Sequence, residues 1–394
     1  MNKLRTGFFI GVATMACATG AHAQNLLVGE SGDDRVLLIS GQDGSVLDAN
    51  FLDIATQAIA ADVSSTPIET LEVGDELWVS DQVADRIWRF DRSGNFLGDI
   101  GGNGELNNIR GMEVVGDTVY VAQGTASDLF SKGIVRIDVP TLTPTSVILG
   151  RDSADVSYFD VKFYNGELLV SNIDTGNDGI ERYDLDGNFL GFFAQSDGVT
   201  SFDFPQQINQ RTSNTNLLVG AFSLPSGVYE FQSDGTNLGI VAGLDFGPRA
   251  AYELGNGEIL WSNGTFLRTD STIISEDGSF RFFSPTSVTV DVDSDNDGLT
   301  DSADNCVAVA NADQRDTDSD GIGNLCDADL NQDCLVQVED LGLFRQVFFS
   351  DDANADFDGD GTVNVVDLGI LRVAFFANYV DDNPSGVSNL CAMD

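Results

Sequence analysis

Short apolar runs with period-two alternation recur through residues 24–290. Six of them end in Val or Trp followed by a small residue: 26–29, 77–80, 119–122, 168–171, 217–220 and 259–262. Their spacing runs from 42 residues, between Trp78 and Tyr120, to 51 residues, between Leu27 and Trp78. Alternation at period two predicts half-buried β-strands, and the Asp-Gly, Asn-Gly and Ser-Gly pairs between the runs predict turns.

Further strands follow most of these runs and complete a four-strand repeat. They are predicted at 86–91, 133–138, 179–184 and 227–231. A turn and a third strand follow, as in 93–98 and 186–191. A repeat of roughly 40–50 residues with about four short strands is typical of a β-propeller blade. We count six blades. The strand phrases resemble NHL-type six-bladed propellers, which implies a mostly β fold for 24–290.

The order of the strands also predicts how the ring closes. The region opens on a second strand at Leu26 and ends on a spare phrase at 285–290, which is similar to the inner strand predicted at 109–114. We expect the spare strand to complete the first blade. Closure of this kind leaves no open sheet edge, and open edges favour aggregation.

Four aspartate-rich loops occupy the last quarter of the chain. Each places oxygen side chains at loop positions 1, 3, 5 and 12, and three have glycine at position 6. This spacing is typical of a twelve-residue loop around Ca²⁺, in which the position 7 carbonyl is a further ligand. The predicted ligands, in chain order, are these: Asp293, Asp295, Asp297, Leu299, Asp301, Asp304; Asp316, Asp318, Asp320, Ile322, Asn324, Asp327; Asp329, Asn331, Asp333, Leu335, Asp340; Asp356, Asp358, Asp360, Thr362, Asn364, Asp367.

The first two loops, over 291–327, resemble thrombospondin type 3 repeats. Val307 and Ala312 stand where that family commonly has proline, which loosens the linker and leaves the ligands intact. Nearby cysteines are bridged in that family, so the resemblance implies a disulfide between Cys306 and Cys326.

The last two loops form a duplication with an offset of 27 residues, and each is followed by an apolar helical phrase, 341–345 and 368–372. Loop plus helix, twice, resembles a type I dockerin over 328–380. In the first loop Cys334 replaces glycine and Gln337 replaces asparagine, which predicts weaker binding there. We expect Cys334 to pair with Cys391, although four cysteines allow three pairings.

Dockerins that bind cohesin carry specificity at loop positions 10 and 11, which here are Val338 and Glu339 in one loop and Val365 and Val366 in the other. The resemblance therefore implies a cohesin-like or cell-surface partner at these residues. The alternative interpretation of the apolar pair is core packing, and the sequence does not decide between them.

A basic start at Lys3 and Arg5, an apolar stretch and Ala21-His22-Ala23 predict a secretory signal peptide over 1–23. The predicted segments are thus 1–23 signal peptide, 24–290 propeller, 291–327 and 328–380 calcium modules, and 381–394 tail. Cleavage would leave an extracellular or cell-surface chain. Cys306, Cys326, Cys334 and Cys391 fit two disulfides in that compartment.

Charge and histidine content exclude several function classes. After cleavage 17 basic and 63 acidic residues remain, a net charge of −46, which disfavours nucleic acid and anionic membranes. His22 is the one histidine of the sequence and leaves with the signal. A Ser-His or Cys-His nucleophile system and a histidine-ligated metal are therefore excluded. No later apolar run reaches the length of a membrane span.

The leading hypothesis is a non-enzymatic, secreted calcium-binding protein with a propeller that recognises a protein or glycan. Residues near inner-strand ends are the candidate propeller ligands, although strand-cap roles are commoner: Arg110, Asp160, Asp203 and Arg249. The rival is a polysaccharide-degrading hydrolase or lyase that acts through carboxylates, which the dockerin resemblance implies by association. A third hypothesis treats the C-terminal loops as a calcium-stiffened stalk. We interpret Arg86, Arg89, Arg136 and Arg182 as inter-blade ion-pair residues.

Overall fold

The computed structural model describes residues 24–150, 156–174, 178–197, 199, 201–276, 278–289, 295, 297–300, 303–333 and 335–377, with side chains to 375. The chain divides into two compact units, Met1–Val288 and Thr289–Asp394. Several predictions lie outside the described residues: the signal peptide at 1–23, the tail at 381–394, Asp293, Asp301, Cys334 and Cys391.

The first unit is a ring of six four-stranded antiparallel sheets, which confirms the mostly β, six-bladed propeller. Blade one holds β1 Asn25–Glu30, β2 Arg35–Ile39 and β3 Val46–Asp53, followed by the helix α1 Ile54–Ala60. Blades two to four are β4 Pro67–Val73, β5 Glu76–Asp81, β6 Arg86–Asp91, β7 Phe96–Ile100; β8 Ile109–Val115, β9 Thr118–Gln123, β10 Gly133–Asp138, β11 Thr143–Leu149; β12 Tyr158–Tyr164, β13 Glu167–Asn172, β14 Gly179–Tyr183 and β15 Phe189–Gln195.

Blades five and six complete the ring: β16 Asp203–Gln210, β17 Leu217–Ser223, β18 Gly227–Phe231, β19 Asn237–Ala242; β20 Ala250–Glu253, β21 Ile259–Ser262, β22 Leu267–Arg268 and β23 Ile273–Ser275. The last strand, β24 Phe280–Thr286, pairs with β1 and becomes the inner strand of blade one. Closure by a C-terminal strand is therefore confirmed. Its predicted place at 285–290 was about five residues too late, because Phe280, Phe282 and Phe283 supply the buried face.

Side chains of the second strands are more buried than those of the outer strands, which lie farther from the ring axis. Second strands such as β5 and β13 are buried on both faces, so their sequences read as continuous apolar runs. Outer strands such as β7 are largely exposed. Trp78, Trp88 and Trp261 are fully buried. These tryptophans therefore belong to the core.

The predicted inter-blade ion pairs are instead formed within single blades. Arg89 pairs with Glu76 at 2.6 Å, and Arg182 pairs with Glu167 at 2.7 Å. Each pair joins adjacent strands of one sheet, because antiparallel neighbours bring these side chains together at short range. Arg136 instead donates to the Leu185 carbonyl at 2.6 Å.

The second unit holds two helices, α2 Val338–Val347 and α3 Val365–Ala377. Its small core is centred on these buried side chains: Ala328, Phe344, Ala355, Phe357, Val363, Leu371 and Ala374. A disulfide joins Cys306 to Cys326. Within the described residues, none of the helices has both the length and the apolar character needed to cross a bilayer.

Candidate metal-binding loops and the propeller mouth

All four acidic loops share one hydrogen bond from a backbone amide to a side-chain carboxylate. The amide at position 7 donates to the carboxylate at position 5 in each: Leu299 to Asp297 at 2.9 Å, Ile322 to Asp320 at 2.8 Å, Leu335 to Asp333 at 3.1 Å and Thr362 to Asp360 at 2.9 Å. The four loops therefore share the same local turn between positions 5 and 7.

Backbone angles repeat as well. Gly298, Gly321 and Gly361 at position 6 have φ of 97°, 95° and 90°, a region in which glycine is favoured. Position 4 is also left-handed, at Ser319 with φ 63° and Gln332 with φ 57°. Sequence reasoning found the glycines and missed position 4, because serine and glutamine carry no signal for this conformation.

Three groups of carboxylates have ligand oxygens within 4.8 Å of one another: Asp295, Asp297 and Asp304; Asp316, Asp318 and Asp320; Asp356, Asp358 and Asp367. All donors are hard oxygens, which suits a hard divalent cation. Burial and then the nearby Asp320 and Asp318 raise the pKa of Asp327 to about 7. Clustered negative charge is thus unfavourable in these loops by themselves, and the residues fit a cation.

The position 12 aspartates of the last two loops are held identically. Asp340 is fully buried and accepts the amides of Asn331 at 3.2 Å and Gln337 at 2.8 Å. Asp367 is fully buried and accepts the equivalent amides of the second repeat, from Asp358 at 3.2 Å and Asn364 at 2.8 Å. Each of these residues lies 27 positions after its counterpart in the first repeat. The duplication seen in the sequence is therefore a duplication of loop geometry.

Not every predicted ligand joins its group. Asn324 is buried, and its side chain donates to the Ala353 carbonyl at 2.9 Å and accepts from the Thr317 amide at 2.8 Å. Asp327 accepts the Asp329 amide at 2.9 Å and lies outside the carboxylate group of its loop. Loop 329–340 is not among the three groups of the described residues.

Arg315 connects two loops that the sequence analysis treated separately. Its guanidinium lies 3.8 Å from the Asp356 carboxylate, and it donates to the Phe357 carbonyl at 3.0 Å and to the Asp356 carbonyl. The arginine directly precedes the loop that begins at Asp316, so the second and fourth loops are physically linked.

The residues at loop positions 10 and 11 lie at the exposed starts of α2 and α3. Val365 is 69% exposed, Val366 52% and Val338 67%, and Glu339 is exposed. Core packing among the described residues therefore does not explain these apolar side chains.

In the propeller, the six inner strands contact one another in sequence around the ring. They begin at one end of it, which we call the mouth. Arg110, Phe159, Arg249 and Arg281 stand at or directly beside these strand starts, and Gln206 is the fourth residue of β16. Arg110 is buried, donates to the Tyr158 carbonyl at 2.8 Å and lies 4.6 Å from the Phe159 ring centroid. Asp203 accepts the Phe204 amide at 2.9 Å.

Asp160 lies deeper than the mouth and is 2% exposed. Its carboxylate accepts the amides of Val161 at 2.9 Å and Ile208 at 2.7 Å, so it ties blade four to blade five. Burial raises its pKa to about 7. Glu69 plays the same part between blades two and three, where it accepts the Met112 amide at 2.5 Å. Burial, and then Asp160, raise the pKa of Glu69 well above its ordinary value.

The axis is closed below the mouth. Phe159 of blade four and Phe282 of blade one, three blades apart, have ring centroids 5.8 Å apart. A ligand that enters the mouth therefore meets an aromatic floor.

No protein-family model matches the chain, and no curated protein matches it. Solved structures share the propeller. A chain of the nidogen/laminin complex is 13% identical over 66% of this chain and 97% of that chain, with a TM-score of 0.51. A Bacteroides caccae protein is 12% identical over 67% of this chain and 99% of its own, with a TM-score of 0.43. Virginiamycin B lyase from Staphylococcus aureus is 11% identical over 69% and 87%, with a TM-score of 0.41.

At these identities the similarity shows the fold alone. Among these three structures, the nidogen/laminin chain supports the propeller fold, because its TM-score is 0.51.

Proposed function

We propose that the chain is a secreted calcium-binding protein, in which the propeller recognises a ligand and the second unit docks to a protein partner. The repeated loop geometry carries this proposal. Four loops with the same bond from position 7 to position 5, and three groups of three convergent carboxylates, support cation binding.

The donor chemistry favours Ca²⁺ over other cations. Carboxylate and carbonyl oxygens on flexible loops suit the six to eight ligands of Ca²⁺, whereas zinc and copper prefer histidine and cysteine. Residues 291–394 contain 24 acidic and 3 basic residues. When bound, the ion supplies the positive charge that offsets carboxylate repulsion, so binding and folding of this unit are coupled.

The exposed starts of the two helices support docking. Val338 and Val365 occupy the same place in the two repeats, and both stand clear of the core. Paired apolar groups at equivalent positions suit a protein partner, for which a cohesin-like or cell-surface protein is our proposal. The disulfide between Cys306 and Cys326 supports an oxidising, extracellular location.

Recognition suits the propeller better than carboxylate catalysis. Glu69 and Asp160 are buried acids whose oxygens hold backbone amides, so their geometry serves blade-to-blade bonding. The polysaccharide-degrading alternative has no such observation in its favour.

Calorimetry and metal analysis on the full chain, first stripped with EDTA, test the proposal. We expect stoichiometric Ca²⁺ uptake at several sites, and one site fewer in the double variant Asp356→Asn/Asp358→Asn. Asp351→Asn changes an exposed aspartate of the same unit outside the loops and serves as the matched control. No uptake by the native chain, or equal losses in both variants, would contradict the proposal.

A further inference from the structure

Three arginines at the mouth lack an acidic partner. Among the described residues, no carboxylate lies within 4.0 Å of Arg110, Arg249 or Arg281. Other basic side chains of the propeller do form ion pairs: Arg35, Arg86, Arg89, Arg92, Lys162, Arg182 and Arg211. On a chain with 63 acidic residues, unpaired cations that are partly or wholly buried need a separate explanation.

Arg249 and Gln206 each hold a hydrogen-bond donor without an acceptor among the residues that the structure describes. Arg249 Nη1 donates to Gln206 Oε1 at 3.4 Å, a long bond, while its Nε is buried without a partner. Gln206 is 0% exposed, and its Nε2 has no acceptor either. A buried donor without an acceptor is unfavourable, so these two donors favour an acceptor supplied by a ligand.

Arg281 adds a second positive charge beside Arg249. Its Nε donates to Ser31 Oγ at 2.8 Å, and that partner is neutral. Burial, and then the neighbouring Arg281, lower the pKa of Arg249 to about 10. Burial lowers the pKa of Arg281 as well, and the negative charge of Glu30 opposes this. Two like charges that are adjacent and partly desolvated are unfavourable unless an anion joins them.

The surroundings are aromatic. The Arg249 guanidinium lies 4.3 Å from the Phe222 ring centroid. Arg110 stands over Phe159, which contacts Phe282 and closes the axis. The ring of Phe222 holds the Arg249 guanidinium in place, and the buried Nε of that guanidinium still lacks an acceptor among the described residues.

We propose that the mouth binds one oxyanion group, a carboxylate or sulfate of the recognised ligand, between Arg249, Arg281 and Gln206. The inference rests on the proposed recognition role of the propeller and names the ligand class. The remainder of the ligand is close to neutral, because a polyanion would be repelled by a surface of this net charge. Carboxylates and sulfates match the guanidinium fork, which binds two oxygens at once.

Calorimetric titration of the calcium-loaded full chain with sodium acetate, sodium sulfate and sodium glucuronate, each against sodium chloride at equal ionic strength, tests the inference. We expect a single site for at least one oxyanion. Arg249→Gln and Arg281→Gln are each expected to weaken binding at least tenfold. Arg136→Gln removes the same charge from a blade position whose arginine also lacks a carboxylate partner, and it is expected to bind as the native chain does.

The three probes identify the source of the oxyanion. A much higher affinity for glucuronate than for acetate indicates an acidic sugar. Equal affinities indicate that the anionic group alone is recognised. Either result supports the inference. The melting temperature without added oxyanion should not fall in Arg249→Gln, because relief of like-charge repulsion offsets the lost contact. If that variant fails to fold, Arg281→Gln carries the test.

If none of the three anions binds, the inference is overturned. It is also overturned if Arg136→Gln weakens binding as much as Arg249→Gln and Arg281→Gln do. Calcium uptake measured in the same samples separates this failure from failure of the proposed function.

Discussion

Gln207 Nε2 donates to Glu69 Oε1 at 3.3 Å, although the two residues lie on inner strands three blades apart. The bond therefore crosses the axis of the ring. Gln207 also bonds both backbone groups of Phe283, at 2.8 and 3.0 Å. Together with the Met112 amide on Glu69, these contacts tie four inner strands at one level of the channel.

Glu69→Ala is expected to destabilise the propeller by about 3 kcal/mol, since it leaves the Met112 amide unsatisfied and opens a cavity. Glu69→Gln keeps an oxygen for that amide and turns a donor toward Gln207, so we expect a loss of about 1 kcal/mol. Urea unfolding followed by tryptophan fluorescence measures both, because the three tryptophans, Trp78, Trp88 and Trp261, all lie in this unit. Equal losses in the two variants would contradict this account of the carboxylate.

Asp160 gives the propeller a defined pH dependence. Its folded pKa of about 7 lies above its unfolded value, so the folded state binds the proton more tightly. Stability from this residue is therefore full at low pH and is lost as pH rises from about 4 to 7. The unfolding free energy of the native chain should fall over this window relative to that of Asp160→Asn.

Urea unfolding at several pH values provides the measurement for Asp160. Asp186→Asn, in an exposed turn of the same blade, is the control and should follow the native chain. A constant difference between the native chain and Asp160→Asn from pH 4 to 7 would show that burial does not perturb this carboxyl.

Chelation should unfold the second unit and leave the ring intact. Removal of the cation leaves clustered carboxylates without compensation, whereas the propeller core does not depend on them. We expect EDTA to expose 291–394 to protease and to leave tryptophan fluorescence unchanged. Protease resistance of that segment in EDTA would be the contrary result.

The disulfide should lower the calcium concentration needed to fold the second unit. Cys306 and Cys326 close a loop of 20 residues, worth about 3 kcal/mol in the chain-entropy model. Cys306→Ser/Cys326→Ser should therefore shift the calcium midpoint of folding upward, as followed by far-UV circular dichroism. Reduction of the native chain is the control for changes in packing, and an unchanged midpoint in both cases would refute the expectation.

Local patterns predicted the elements, and contacts between distant residues decided the details. The blade repeat was visible because strands bury alternate faces, yet Gln207 and Glu69 give no local signal of their bond. The apolar phrase 368–372 was predicted to be helical, and it lies in α3, but its first residue Leu368 is 37% exposed. Ile370, Leu371 and Ala374 instead pack in the core of this unit.

The candidate sites divide in the same way. The loop ligands follow a spacing, so most could be predicted, whereas the link from Arg315 to Asp356 depends on how two loops pack. At the mouth, Arg110 and Arg249 were predicted from strand ends. Arg281 was missed because the predicted start of β24 lay beyond it. Gln206 was missed because a glutamine in a strand carries no sequence signal of a binding role.

Ring closure has a consequence for biosynthesis. Blade one takes three strands from the start of the propeller and its inner strand from the end, and Asn25 donates to the Val288 carbonyl at 3.1 Å across 263 residues. A nascent chain cannot finish its first sheet until the sixth blade has been translated. The ring therefore closes only after the whole propeller has been synthesised, and until then β1 presents an unpaired strand edge.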